Sequence, residues 1–139
     1  MNATGQLGAH AVTLASTYAN GHFNLYVPGF SPQLTLAPAQ GVFIYSTAAG
    51  NWTPTGSIYP TGQAVSLQPG WNLVAAPSPS GGLEASRIAS EASGCNVQEV
   101  AMRSGGTYAT WTPGGTDFTI PATSGFWIQC SSASIWTPS

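Results

Sequence analysis

Apolar residues recur at every second position along most of this chain, in short runs broken by glycine and proline. The runs 12–18, 22–27, 33–36 and 41–46, and later 97–103, 107–112, 117–120 and 125–130, alternate in this way. Alternation sends one face of each run into a core and predicts half-buried strands. Ala19-Asn20-Gly21, Pro28-Gly29, Gly105-Gly106 and Pro113-Gly114-Gly115 separate the runs as turns. Between the two sets lie three more short strands, 57–59, 63–67 and 71–75. Only 82–93 changes period: Ala85, Ile88, Ala89 and Ala92 share one helical face, and Arg87 is spaced to pair with Glu84 and Glu91. One short helix is predicted there, with Gly94 suited to the position just past its end.

The two sets of strands are copies of one unit. Gly41-Val42-Phe43-Ile44-Tyr45-Ser46 aligns with Gly125-Phe126-Trp127-Ile128-Gln129-Cys130, and each is followed by a Trp-Thr-Pro triplet beginning at Trp52 and at Trp136. Upstream, 21–29 aligns with 106–114, and Leu34-Thr35-Leu36 with Phe118-Thr119-Ile120. Self-similarity of this kind marks a duplicated structural unit. The expected fold is therefore all-β, an antiparallel β-sandwich of jelly-roll type with an internal strand duplication and one helix near 82–93. It is read as one domain: an arm 1–10, copy one over 12–55, linking strands and helix over 56–96, and copy two over 97–139. Copy two is preceded by Gly70-Trp71-Asn72-Leu73-Val74 and the helix, copy one only by the polar arm. That inequality predicts an open sheet edge beside copy one, covered by the arm or by a neighbouring chain.

Charge narrows the functions open to such a fold. Charged residues make up 4% of the chain, against about a quarter in ordinary soluble domains. There is no lysine, and Arg87 and Arg103 are the only arginines. Two guanidinium groups do not neutralise a phosphate backbone or an anionic bilayer, so neither nucleic acid nor membrane is expected as a partner. The N-terminus has neither the basic nor the apolar stretch of an export signal. On that ground Cys95 and Cys130 are expected as reduced thiols, with a disulfide as the other choice. No zinc-ligand spacing, phosphate loop or nucleophile elbow is present, and Glu84, Glu91 and Asp117 make no convincing acid–base pair. No catalytic residue, metal or cofactor is expected, and the chain is read as non-enzymatic.

The aromatic residues remain. Trp127 and Phe43 alternate with small or polar neighbours as core residues do, and Trp52 and Trp136 hold equivalent repeat positions, which points to packing. Sugar stacking on exposed Trp and Tyr is the competing reading. The candidate interaction residues are Asn2, Gln6, Leu7 and His10 in the arm, with Trp52 and Trp136 at the ends of the copies.

Gly70-Trp71-Asn72-Leu73-Val74, Gly105-Gly106-Thr107-Tyr108-Ala109-Thr110-Trp111 and Gly125-Phe126-Trp127-Ile128 resemble the small "GWNL … GYW" β-modules appended to bacterial surface proteins. In overall type the chain also resembles the capsid cement, or decoration, proteins of tailed bacteriophages: short, nearly uncharged, and rich in Ser, Thr, Gly and aromatics. That second resemblance implies a virion structural protein on the outer capsid surface. It would be made in the host cytoplasm and would bridge capsomers, with the major capsid protein and copies of itself as partners. The first implies an extracellular adhesion or carbohydrate-binding module with a glycan as ligand. A fibre subunit assembling by strand addition is the third expectation.

Overall fold

A computed structural model of the chain describes residues 12–31, 33–50, 62–77 and 81–139. The first copy forms a sheet of β1 (Val12–Ala19), β2 (His22–Tyr26) and β3 (Phe43–Ser46) in the order β2-β1-β3, all antiparallel. After β4 (Val65–Leu67), β5 (Gly70–Ala75), β6 (Leu83–Glu84) and helix α1 (Ala85–Glu91), the second copy repeats the pattern. Its strands are β7 (Val97–Ser104), β8 (Thr107–Trp111), β9 (Thr119–Ile120), β10 (Gly125–Cys130) and β11 (Ser134–Trp136). The larger sheet runs β5-β10-β7-β8, so β8-β7-β10 reproduces β2-β1-β3 and β5 is the added strand. The protein is all-β and sandwich-like, with one short helix among the described residues.

The duplication extends to the turns. Asn20 and Gly21 both have positive φ (53° and 79°), as do Gly105 and Gly106 (55° and 90°). Two such residues joining strands in register, Ala19 opposite His22 and Ser104 opposite Thr107, make the tight hairpin turn that matches strand twist. The next turns match as well. After Pro28-Gly29 the Phe30 N–H donates to Val27 O (3.1 Å), and after Pro113-Gly114 the Gly115 N–H donates to Thr112 O (2.8 Å). Proline followed by glycine at φ near +80° is the composition a type II turn requires.

Inward residues correspond in the same way. Val12, Ala15, Tyr26, Leu34 and Leu36 form a small core with Val42 and Ile44 against it. Their counterparts Val97, Val100, Trp111, Ile120, Phe126 and Ile128 belong to a larger core. Leu83, Ile88 and Leu67 join that core from β6, α1 and β4, which have no counterpart among the described residues of copy one. The two sheets are joined where 39–41 runs along the outer edge of β5. There Ala75 N–H donates to Ala39 O (2.9 Å) and Gly41 N–H to Leu73 O (3.3 Å). Gly41 is required at this crossing, because a Cβ there would lie 2.7 Å from Leu73 Cγ and 2.8 Å from Val74 O.

Several expectations change. Residues 33–36 are not one of the strands; only Thr35 forms a bridge, and the alternation reflects burial of Leu34 and Leu36. The helix is shorter than 82–93, because Leu83 and Glu84 pair with Ile120 and Thr119 as strand. It begins where the Asp117 carboxylate accepts the Ser86 N–H (3.0 Å) and the Ser86 hydroxyl. Arg87 pairs with Glu91 (2.8 Å) but not with Glu84, which accepts from Thr119 Oγ1 (2.6 Å). A 3₁₀ turn, Ser93–Cys95, follows, and Asn96, not Gly94, takes the left-handed conformation. Gly94 instead makes a close approach to Ser134: an added Cβ would sit 2.6 Å from its Oγ, a hydroxyl that would have to rotate aside. The strand expected at 57–59 lies outside the described residues, as does the arm, so the coverage of copy one's edge by 1–10 lies there too.

Candidate functional site

Where β10 ends, the 3₁₀ turn brings Cys95 beside it. Ser131 N–H donates to Cys95 O (3.1 Å), the Cα atoms of Cys95 and Cys130 are 5.1 Å apart, and the two residues form a disulfide. The reduced thiols expected from the missing export signal are corrected on this geometry. Both half-cystines are buried in the larger core, so the bond is structural and offers no reactive sulfur.

Of the residues singled out in the sequence, Trp136 is fully buried. Its Nε1 donates to Glu91 Oε2 (3.0 Å), and its ring meets Phe126 edge-on at 5.9 Å. It belongs to the core and presents nothing to a partner. Asn2, Gln6, Leu7, His10 and Trp52 lie outside the described residues.

A different set of aromatics converges on the surface. Along β10 the buried positions are Phe126, Ile128 and Cys130, which turns Trp127 and Gln129 to the other face. Trp127 is therefore not a core residue; the strand's alternation runs in the opposite phase to the one first read. The register sets Trp127 opposite Ala101 and Leu73, and Gln129 opposite Glu99 and Trp71. On β8, which pairs with β7, Thr110 lies opposite Ala101 and shares this outer face with Tyr108. The hairpin of copy one leans over it: Trp127 meets Tyr18 at 5.2 Å, Phe23 at 6.1 Å and Trp71 at 6.3 Å, with interplanar angles of 70–87°. Tyr18 and Phe23 are themselves edge to face at 4.8 Å.

These rings border an open groove of about 440 Å³, completed by Tyr108, Thr110, Ala101 and Glu99. Phe23 and Tyr108 are half-exposed, at 54% and 49%, so aromatic surface meets solvent there. Glu99 is the one ionisable carboxylate or base lining the groove, and its side chain makes no hydrogen bond or ion pair among the described residues. On the far side of Tyr18 and Trp71, which line both, a second cavity of about 690 Å³ opens between the Asn20-Gly21 turn, residues 37–40 and the turn leading into β5. The Asn72 side chain shapes that turn: it accepts the Gln68 N–H (2.9 Å) and donates to Gln68 O, Gly70 O and Ile128 O.

The groove is ring-lined and holds one carboxylate, Glu99, an arrangement suited to stacking and hydrogen bonding. Only part of it was signalled in the sequence. Tyr108 stands with Thr110, and Trp127 with Gln129, on the more polar phase of β8 and β10, whereas Trp71 shares its phase of β5 with Leu73 and gives no such sign. No protein-family model, no curated protein and no solved structure matches this chain.

Proposed function

We propose that the protein is a non-enzymatic carbohydrate-binding module whose ligand lies in the aromatic groove between the two copies. The observation that carries this reading is the cluster of Tyr18, Phe23, Trp71 and Trp127, joined by Tyr108 and opening on a groove that holds the unpaired Glu99. Sugar rings present one apolar face of C–H groups and an edge of hydroxyls. Aromatic faces receive the first, and a carboxylate with a neighbouring hydroxyl such as Thr110 receives the second. Neither cavity is lined by Lys or Arg, which disfavours phosphorylated or polyanionic ligands and single-stranded nucleic acid, despite the stacking surface. The buried Cys95–Cys130 disulfide supports residence in an oxidising setting, as on a cell or virion surface.

The particle-cement reading, with a capsid shell protein and further copies of the chain as partners, draws on composition and makes no use of the groove. Titration calorimetry with neutral oligosaccharides, run beside co-sedimentation with an assembled phage capsid, separates the two. The carbohydrate reading expects saturable sugar binding that Trp71→Ala and Trp127→Ala each weaken at least about tenfold, or ~1.4 kcal/mol. Capsid binding that both variants leave unchanged, with no sugar bound, overturns it.

A further inference from the structure

Resting on the carbohydrate reading, we infer that the ligand is the interior of a linear, uncharged polysaccharide, laid across the junction of the two copies and not held by a chain end. The two cavities, about 440 Å³ and 690 Å³, meet at Tyr18 and Trp71, which line both. Each alone falls within the ~300–1,000 Å³ of an ordinary small-ligand site, so together they hold several sugar units in line. Both are open to solvent, and no described residue closes the groove the way an end-binding pocket is closed.

The second cavity differs from the first in chemistry. Its polar side chains are amides and hydroxyls: Asn20, Gln40, Ser66, Gln68 and Asn72. Asn72 is spent on the turn, and Gln40 accepts the Ala37 N–H (3.0 Å). Asn20, Ser66 and Gln68 make no side-chain hydrogen bond among the described residues, and Ser66 and Gln68 are exposed. Unspent neutral donors and acceptors, with no charge among them, match sugar hydroxyls and select against uronic acids or sulfated chains. The groove thus divides the work. Aromatic rings on the Trp127 side anchor one or two units by stacking, and the amide-lined side pairs with the hydroxyls of the units that follow.

The test is a length series, from disaccharide to hexasaccharide, of β-1,4-linked glucose and of β-1,4-linked N-acetylglucosamine, titrated against the whole chain. Affinity is expected to rise by about tenfold or more between disaccharide and hexasaccharide, which is ~1.4 kcal/mol. Gln68→Trp, which fills the second cavity from an exposed position, should abolish that rise and leave the disaccharide affinity within about twofold. Gln68→Ala should reduce the rise without filling space, and the two variants should melt with the parent. Equal affinity at every length, or a Gln68→Trp loss as large for the disaccharide as for the hexasaccharide, overturns the extended site and leaves the carbohydrate reading standing. Absence of binding at all lengths overturns both.

Discussion

Two carboxylates carry much of the side-chain hydrogen bonding around the helix, and both make stability depend on acid. Burial of Glu91 pushes its pKa up, but hydrogen bonds from Ser139 Oγ, Trp136 Nε1 and Arg87, with the charge of Arg87, outweigh that and hold it below its ordinary value of 4.5. Asp117 is held below its ordinary value chiefly by the Ser86 hydroxyl, with the N–H groups of Ser86 and Phe118 also donating. A depressed carboxylate contributes stability that is fully present above its unfolded-state pKa and is lost as pH falls through the folded one. Thermal melting should therefore be level from neutrality down to about pH 5 and should fall below that, as these carboxylates take up protons. Glu91→Gln removes the ion pair while keeping an acceptor for Trp136. It should cost about 1–2 kcal/mol at neutral pH and flatten part of the acid dependence, as melting curves at several pH values would show. Glu91 drew notice in the sequence as a helix-surface partner of Arg87, which it is. Its contact with Trp136 spans 45 positions and left no local trace.

At the scale of elements, punctuation was the legible part. Asn20-Gly21 and Gly105-Gly106 specify tight hairpins, Pro28-Gly29 and Pro113-Gly114 specify type II turns, and both pairs form as their backbone preferences require. Phase was harder to read. The run 125–130 carries apolar residues on both phases, so nothing local distinguishes Phe126 and Ile128 as the buried set from Trp127; β5 and β7 on either side make that choice. The same limit hid the start of α1, because Leu83 is claimed by Ile120 from a strand far along the chain. Pairing of the cysteines was equally non-local, and compartment was a poor guide to it. Linking residues 35 apart, the disulfide should contribute roughly 3–4 kcal/mol by restricting the unfolded chain. Denaturant unfolding with and without reductant, or of a Cys95→Ala/Cys130→Ala variant, should show a loss of that size with the native fold retained. Gly41→Ala places a methyl group against Leu73 and Val74 at the joint of the two sheets. A cost of roughly 1–3 kcal/mol is expected, with ligand binding in the proposed groove weakened as well, since the hairpin bearing Tyr18 and Phe23 is positioned through this joint.

For the whole molecule, duplication explains where the proposed site lies. Each copy has an outer sheet face, and the equivalent positions Phe23 and Tyr108, and Phe43 and Trp127, are aromatic in both. One copy's hairpin leaning on the other's sheet makes a groove between them, and the edge strand β5 supplies Trp71 to its lining. Sequence reading recovered the duplication and the aromatic wealth but placed the interaction surface at the chain's arm and at the Trp-Thr-Pro ends, because the leaning of one copy on the other has no sequence signature. Since the charged inventory is so small, binding of a neutral ligand should change by less than about twofold between low and high salt, there being few ion pairs to screen. A steep salt dependence in calorimetry would argue for a charged partner. The central claim, that the ring cluster between the copies is the ligand site, is tested most directly by following the indole N–H resonances of the tryptophans by NMR as a neutral oligosaccharide is added. Trp71 and Trp127 should shift saturably and together, while the buried Trp136 stays in place as an internal control. Saturable shifts elsewhere with Trp71 and Trp127 unmoved, or no shift in any indole at millimolar sugar, would contradict it.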